Sequence, residues 1–493
     1  MSNSVTFISK QISMIYKVFS VVLVFLLMSC NDQFLDLDPN TSIPESEAYN
    51  SPTKIAAHVN NLYAKLQNPN LYGGRWIIFN EQRADEFGQN DGNAATGSAV
   101  WNQNVASTNE YINDVWSAAY SAVNSANLLM ENLQNSNVVS DSLRKIYIAE
   151  AKFVRALSFL ILTQTYAKPY FLDKAAPGIP LRLTAIRSSG HNDLVRSPVE
   201  EVYNQMIKDL DEAELDLPVS FSSITLNKSR AHKATAVALK TRVYLNMNMP
   251  DKVIQEASKI VSSSPPYQFS AGATIHALEP SVAALFTGSY TGVESIFSIP
   301  FINSTTETPA AQYALAFNYV TQPILFLTPA GIVANEVFQS ADDARNSLIG
   351  LSPAKHRILK KFSITTAPFR DYVPVLRYAE VILNYAEAAA RMGQLSLALD
   401  LLNSVRHRSS PNYVFSNDQV STSDALVQTI LMERRIEFLG EGLRLQDIQR
   451  NGLALPSKTG SIGLAPEVPP TAKNYMWPIP SGELTTNKLC VPN

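Results

Sequence analysis

Three stretches of the chain place apolar residues three and four positions apart, which is the spacing of one face of an α-helix. The stretches occupy residues 110–167, 231–263 and 373–408. In the last of them a stripe runs from Leu376 to Ala390, and Gly393 then stands where a helix should end. A second stripe follows each first one. Each stretch therefore predicts two paired helices, together about as long as one tetratricopeptide unit.

Two long segments between these pairs lack the helical period. Residues 67–109 are rich in Asn, Gln, Gly and aromatic residues, and residues 262–335 are rich in Ser, Thr, Pro and Tyr. The second segment contains short strand-like runs, such as Ser295 to Ile299. We therefore predict a mainly α-helical protein, in which helix pairs form a scaffold that carries long loops and a few short β-strands. Long loops on a rigid frame are usual places for recognition.

The first 29 residues do not read as part of this fold. Positive charge comes first, followed by an apolar run from Val18 to Met28. The run is shorter than the roughly 20 residues that span a bilayer. Charge, a short apolar core and small residues in this order are typical of a secretory signal peptide. Residues 1–29 are therefore predicted to be that signal, with translation starting at Met1 or Met14, and residues 30–493 to form a single domain.

The apolar run ends in Leu27-Met28-Ser29-Cys30, which resembles a bacterial lipobox. By that resemblance Cys30 is acylated and becomes the first residue of the mature chain, and two or more acyl chains give a stable anchor. The acidic residues just after Cys30 resemble the surface-export signal of Bacteroidota lipoproteins. An ordinary signal peptide with a coincidental cysteine is the alternative. Cys490 is the other cysteine of the sequence, so lipidation of Cys30 leaves no disulfide framework.

Composition and motifs exclude several classes of function. The chain has 493 residues and a formal net charge of -3, and loss of residues 1–30 removes two lysines and no acidic residue. Nothing suggests a nucleic-acid partner, which would usually need a concentrated basic face. The sequence contains no H-E-x-x-H, G-x-S-x-G or phosphate-loop motif. We therefore expect neither a catalytic site nor a cofactor.

Charged segments near the carboxyl end invite a catalytic interpretation. Glu433 and Glu437 could form the carboxylate pair of an unrecognised hydrolase. We favour a structural interpretation, in which arginine–carboxylate forks fix the geometry of successive helices. Asp85, with Asn90 and Asp91, could hold calcium through oxygen ligands. The spacing fits no standard calcium loop, so a plain turn is favoured and no metal site is predicted.

Several segments, in order along the chain, resemble the SusD/RagB family of Bacteroidota outer-membrane lipoproteins. They are the mature start 30–36, the helix 149–156 with its aromatic end 166–169, the segments 377–388, 402–406 and 433–450, and the final Trp477-Pro478-Ile479-Pro480 with Glu483. The resemblance implies one mainly helical, SusD-like domain with tetratricopeptide-like pairs. It implies that the chain binds oligosaccharides or, as some members do, peptides, and is not an enzyme. It also implies a partner, a SusC-like TonB-dependent barrel over which the lipoprotein sits as a lid.

Sugar binding needs a flat aromatic face, together with amide or carboxylate groups for the hydroxyls. The first candidate group offers both within four residues and lies roughly where the resemblance places part of the ligand site: Trp101, Asn102, Gln103 and Asn104. Packing of Trp101 on the scaffold is the alternative. The second group comprises Tyr72, Trp76, Arg83 and Asp85, and the third comprises Tyr290, Tyr313 and Tyr319. Trp116 and Trp477 are assigned to packing.

These features together predict a lipid-anchored protein of the outer membrane that faces the cell exterior. We expect it to capture an oligosaccharide or polysaccharide and to deliver it to a SusC-like transporter. A peptide-binding lipoprotein of the same architecture, or a purely structural lid, is the alternative. Stacking specifies a ring face rather than a linkage, so the sequence does not name the sugar.

Overall fold

The computed structural model describes residues 44–190, 192–303 and 306–493. The predicted signal peptide and Cys30 lie outside the described residues. Of the described residues, those from 56 onwards belong to one compact unit and residues 44–55 belong to another. In the second, the structure describes helix α1 (Glu45–Ala48) and the start of α2 (Pro52–Leu66). The prediction that a single domain begins at residue 30 stays a prediction.

Helices dominate the described residues, and the predicted fold class is confirmed. The other α-helices are α3 (Arg75–Arg83), α4 (Ser98–Trp101), α5 (Glu110–Leu133), α6 (Asp141–Tyr166), α7 (Val199–Asp216), α8 (Leu226–Ser229), α9 (Lys233–Asn246), α10 (Pro250–Ala257), α11 (Val282–Thr287), α12 (Tyr378–Arg391), α13 (Leu395–Ser409), α14 (Asn417–Val420), α15 (Ser423–Glu437), α16 (Arg444–Arg450) and α17 (Ser481–Thr486). Short 3₁₀ turns and one π-helical turn, Phe317–Thr321, lie between them.

The described strands are short and form two-stranded antiparallel pairs. The pairs are β1 (Phe87–Gln89) with β7 (Leu325–Leu327), β2 (Pro177–Pro180) with β3 (Arg196–Pro198), β4 (Gln268–Ala271) with β5 (Thr274–Ala277), β6 (Ser295–Ile299) with β10 (Val373–Arg377), β8 (Ile349–Leu351) with β9 (Arg357–Leu359), and β11 (Lys458–Gly460) with β12 (Gly463–Ala465). The strand predicted at 295–299 is thus confirmed as β6. Its partner β10 leads directly into α12, which ties the long insertion to the scaffold.

All three predicted helix pairs are present, as α5 with α6, α9 with α10, and α12 with α13. Asn109 caps α5 by accepting a hydrogen bond from the Tyr111 amide at 2.9 Å, and Ser140 caps α6. Gly393 separates α12 from α13 with a φ of +74°, a backbone conformation that favours glycine. Local capping and helical periodicity therefore explain where these pairs begin and end.

Two further long helices connect the pairs into one scaffold. Helix α7 packs against both α6 and α9, and α15 packs against α12 and α13. Helix α7 buries Val202, Met206 and Leu210, which stand four residues apart. This spacing of apolar residues predicts a helix, although α7 was not among the helices predicted from the sequence.

The segment 67–109, predicted as loop-rich, contains a helix. Every residue of α3 is buried. Five of its nine residues are polar, so its burial could not be expected from an apolar stripe. The prediction of an irregular segment was wrong here because charged residues, such as Arg75 and Glu81, occupy buried positions of α3.

Candidate functional site

The charged residues of the carboxyl-terminal segments are buried and paired. Glu437 has no exposed surface, and its carboxylate accepts hydrogen bonds from Arg377 at 2.7 Å, Arg408 at 2.5 Å and Arg345 at 3.1 Å. Burial alone would raise the pKa of Glu437, but these guanidinium groups hold it well below its usual range. Glu433 is equally buried and accepts from Arg345 at 2.6 Å. The structural interpretation of the charged segments is confirmed.

Asp85 belongs to a second ion-pair group and not to a ligand site. Its carboxylate accepts hydrogen bonds from Arg444 at 2.9 and 3.0 Å and from Arg435 at 3.4 Å. Burial opposes ionisation of Asp85, but the neighbouring arginines hold its pKa below the usual value. Asp91 accepts a hydrogen bond from the Asn93 amide at 2.8 Å within an exposed turn. Asp91 therefore lies in a turn, and the preference for a plain turn over a calcium site stays a prediction.

Trp101 offers no face to a ligand in this structure. It is completely buried, and its Nε1 donates to the Phe87 carbonyl at 2.9 Å. Gln103 is buried too and donates to the Arg83 carbonyl at 2.9 Å. Asn104 is exposed and Asn102 is partly exposed. The expectation of a stacking surface at Trp101 is therefore corrected, because α4 turns the indole into the core beside β1.

The second predicted group is also part of the core. Tyr72 and Trp76 are buried with their rings 5.6 Å apart, and Trp76 Nε1 donates to Thr165 Oγ1 at 3.1 Å. Arg83 is buried and donates to the Tyr475 carbonyl at 2.6 Å. These side chains join α3 to α6 and to the carboxyl-terminal segment. They do not present a surface to solvent.

The tyrosines of the third group differ from one another. Tyr319 is completely buried and stacks on Phe87 at 5.2 Å between ring centroids. Tyr290 and Tyr313 are partly exposed. The guanidinium of Arg75 lies 4.6 Å from the centre of the Tyr313 ring. Tyr290 and Tyr313 therefore keep solvent-facing surface and stay candidates for ligand contact, whereas Tyr319 is a core residue.

A cavity of about 420 Å³ lies elsewhere, and we call it the Trp116 cavity. Its walls are one face of α5, residues 181–190 and 192–195 between β2 and β3, and the end of the chain around α17. The lining residues are Trp116, Ser117, Tyr120, Val123, Asn124, Asn127, Arg182, Ile186, Ser188, Ser189, Asn192, Asp193, Glu483, Thr486 and Asn487. The volume is within the roughly 300–1,000 Å³ of small-molecule sites.

Helix α5 fixes the loop that forms the second wall. Asn124 exchanges two hydrogen bonds with the backbone of Ile186, at 3.0 and 2.7 Å. Asn127 donates to the carbonyls of Arg182 and Thr184 at 3.0 and 3.1 Å. Because Asn124 and Asn127 stand on the same helical face as Trp116, the amides hold the loop over the aromatic residues. The cavity is therefore largely formed before any ligand enters.

Glu483 connects the third wall to the other two. Its carboxylate accepts hydrogen bonds from Trp116 Nε1 at 3.2 Å, from Arg182 Nη2 at 3.0 Å and from Asn487 Nδ2 at 2.7 Å. Burial raises the pKa of Tyr120 well above its usual value, and the negative charge of Glu483 adds to this effect. Its hydroxyl therefore stays protonated and donates to the Pro180 carbonyl at 2.7 Å. The lining of the cavity therefore combines aromatic residues with hydrogen-bond donors and acceptors.

A solved structure resembles this chain along most of its length. A SusD superfamily protein from Bacteroides fragilis is 32% identical, with a TM-score of 0.80, and the match covers 90% of this chain and 99% of that one. This chain belongs to the SusD family. A family model described as "Starch-binding associating with outer membrane" matches residues 33–245, and one described as "SusD family" matches residues 337–493.

Other SusD-family relatives are more distant. SusD-like protein P38 from Formosa agariphila is 22% identical over an alignment of 502 positions, which covers 92% of this chain and 93% of that protein. SusD-like protein P25 from the same organism is 24% identical, but the match spans only 46% of its length. A solved "Laminarin binding SusD-like protein" is 21% identical, with a TM-score of 0.69, and the match covers 90% of this chain and 99% of that one. Among the described residues, every helix is too short or too polar to cross a bilayer.

The helix that forms one wall of this cavity was predicted from the sequence, but the cavity of this SusD-family chain was not. Trp116 and Trp477 are buried, with 4% and 2% of their surfaces exposed, so their assignment to packing is confirmed. Trp116 nevertheless lines the cavity, and the spacing of Trp116, Tyr120, Asn124 and Asn127 was the signal available in the sequence. Nothing local indicated that α17 would complete the site.

Proposed function

We propose that this SusD-family chain is a cell-surface lipoprotein that binds an oligosaccharide in the Trp116 cavity. The observation that carries the proposal is the composition of that cavity, where the partly exposed ring of Tyr120 on α5 meets amide, hydroxyl, carboxylate and guanidinium groups. Aromatic surface suits the apolar side of a pyranose ring, and the polar groups suit its hydroxyls. The buried charged segments act in the scaffold, so the proposal assigns no catalytic step to them.

The relatives support a carbohydrate as the ligand class. One matching family model carries starch binding in its description, and one solved relative is a laminarin-binding protein. Arg182 and Glu483 pair with each other at 3.0 Å, and the remaining charged residue of the lining, Asp193, is acidic, so the lining offers a polyanion no unpaired cation. A neutral glucan is therefore the ligand class that we favour. Peptide binding is the alternative within the same architecture.

Filling the cavity tests this proposal. Ser117 is exposed on α5 and lines the cavity, so Ser117→Trp should occupy ligand space without disturbing the core. Isothermal titration with laminarihexaose and maltohexaose should show that the variant weakens binding of whichever glucan binds the wild type by at least roughly tenfold, or about 1.4 kcal/mol. Ser142→Trp is the matched control, because Ser142 is an exposed helical serine on α6 that does not line the cavity.

Equal affinities in the Ser117→Trp and wild-type proteins would exclude the Trp116 cavity as the binding site. A wild-type protein that binds neither glucan but binds a neutral hexapeptide would favour the peptide alternative. Absence of binding to every probe, with uptake unchanged in a cell that carries the variant, would favour the structural lid.

The same proposal includes a lipid anchor at Cys30 and delivery of the ligand to a SusC-like TonB-dependent barrel. The lipobox supports the anchor, and the family description, which includes association with the outer membrane, agrees with it. We expect the wild-type protein to incorporate labelled palmitate and to sediment with outer membranes. Cys30→Ala should abolish the label and release the protein. Cys490→Ala is the control, and an unlabelled wild-type protein would contradict the anchor.

A further inference from the structure

Asn487 joins two walls of the Trp116 cavity. It directly follows α17, and only 2% of its surface is exposed. Its Nδ2 donates to the Leu194 carbonyl at 2.8 Å, and its Oδ1 accepts from the Leu194 amide at 2.9 Å. Leu194 lies between β2 and β3, next to Asp193, which lines the cavity. One side-chain amide therefore fastens this wall to the wall around α17.

Two further contacts lie beside this amide. The Lys488 amide donates to Asp193 Oδ1 at 2.6 Å, and Arg196 Nη1 donates to the Val491 carbonyl at 3.2 Å. The guanidinium of Arg196 also donates to two carbonyls of β2, at 2.7 and 2.8 Å. Residues 487–491 are thus bonded at both ends to the wall between β2 and β3. We call them the 487–491 segment.

Asn487 also holds Glu483, the residue that connects all three walls. Its Nδ2 donates to the Glu483 carboxylate at 2.7 Å, so the two N–H groups of the amide have two acceptors, Glu483 and the Leu194 carbonyl. An aspartate at this position would keep the shape but would have no donor while ionised. It would also bring a second carboxylate against Glu483. The contacts therefore require an amide rather than a side chain of similar size.

We propose that Asn487 is a positioning residue for ligand binding, which keeps the Trp116 cavity in its binding shape by fastening the 487–491 segment to the opposite wall. The inference rests on the proposed function for its ligand, whereas the fastening is a property of the chain alone. A site that is formed beforehand loses no free energy in ordering a wall when the ligand binds, so an unfastened wall lowers the affinity. A ligand that binds only the fastened form must also stabilise that form.

Cys490 reports whether the 487–491 segment is fastened. It is a free thiol within that segment, with 6% of its surface exposed. Burial raises the pKa of Cys490 to about 11, and the negative charge of Glu483 adds to this effect. Thiol reagents react with an accessible thiolate, so dithionitrobenzoate at about pH 8 should react slowly until the segment is released. In Cys30→Ala protein Cys490 is the remaining cysteine of the sequence.

Asn487→Asp in the Cys30→Ala protein tests the proposal. Isothermal titration should show at least roughly tenfold weaker binding of the glucan that the parent protein binds, laminarihexaose or maltohexaose. Reaction of Cys490 with dithionitrobenzoate should be faster by at least roughly tenfold, because the released segment exposes the thiol. In the parent protein, a saturating concentration of that glucan should slow the same reaction.

Asn227→Asp is the matched control. Asn227 is 1% exposed and likewise exchanges two hydrogen bonds with one backbone, that of Phe221, at 2.9 and 2.6 Å. It does not line the Trp116 cavity. The substitution removes the same donor and adds the same charge, so it should lower the unfolding midpoint in a similar way. Glucan affinity and the reactivity of Cys490 should stay those of the parent protein.

The outcomes separate this inference from the proposed function. If the parent protein binds a glucan and Asn487→Asp binds it equally well, the positioning role is overturned and the Trp116 site stands. Equal weakening by Asn487→Asp and Asn227→Asp would show a general loss of stability and would also overturn the role. If the parent binds neither glucan, the proposed function fails by itself. Equal Cys490 reactivity in Asn487→Asp and the parent would then overturn the fastening.

A second measurement needs no substitution at position 487. If Asn487→Asp does not fold, the reaction of Cys490 in the parent protein still decides the question. Slower reaction with bound glucan would support the proposal. An unchanged rate at saturation would overturn it, because the ligand would then bind the fastened and the released forms equally.

Discussion

Replacing Glu437 by Gln should lower the free energy of unfolding by about 3–5 kcal/mol, the usual loss when one partner of a buried ion pair is removed. Glu437 has no exposed surface, and three guanidinium groups converge on it, those of Arg345, Arg377 and Arg408. Gln keeps the shape of the side chain but removes one negative charge from the buried cluster, in which Arg345, Arg377 and Arg408 keep only their other carboxylate partners. Thermal and urea unfolding followed by circular dichroism would measure the loss.

An exposed ion pair supplies the matched control for this result. Glu200 pairs with Lys174 at 2.7 Å, and both side chains are largely exposed. Exposed pairs contribute little because solvent screens them, so Glu200→Gln should leave the unfolding midpoint near that of the wild type. If Glu437→Gln were as stable as Glu200→Gln, the charged segments would not stabilise the scaffold. Their burial would then need another explanation.

Glu81→Gln should stabilise the protein in alkaline solution, by roughly 4 kcal/mol at about pH 9, and change little at about pH 5. Glu81 is completely buried on α3, and burial raises its pKa from 4.5 to about 8. Its Oε1 accepts a hydrogen bond from the Gly442 amide at 2.7 Å, which Gln can also accept. The carboxyl group is therefore neutral in the folded protein at neutral pH.

The sign of this effect follows from proton binding. Between about pH 4.5 and pH 8 the unfolded chain loses the Glu81 proton while the folded chain keeps it, so folding stability falls as pH rises. Gln cannot ionise, so this loss should be absent from the variant. Unfolding midpoints of both proteins across this pH range would check it. Parallel pH profiles would show that Glu81 ionises normally in the folded chain.

The helix pairs were predictable because their causes are local. Periodic apolar residues such as Ala386 and Leu401 mark the buried stripes, and Gly393 marks the turn between two helices. Helix α3 could not be found in this way. Its charged residues are neutralised or bonded by groups distant in sequence, such as Gly442 for Glu81 and Tyr475 for Arg83.

The prediction of the ligand site was also limited by contacts between residues that are distant in sequence. Composition marked residues 101–104 as a sugar-binding loop, yet burial of an aromatic side chain depends on what packs over it. Trp101 is covered from β1 and from Lys458, whose Nζ lies 5.6 Å from the ring. Polar neighbours along the sequence therefore do not place a side chain in a polar environment of the folded chain.

The sequence by itself determined the helical scaffold, the charged segments that stabilise it, and the membership of the SusD family, because periodicity and motif order are properties of neighbouring residues. The tertiary structure alone decided which aromatic residues face solvent and where cavities form. The Trp116 cavity needs Glu483 and the loop at Arg182 beside α5. Such contacts between distant segments arise only when the chain packs, so no local pattern encodes them.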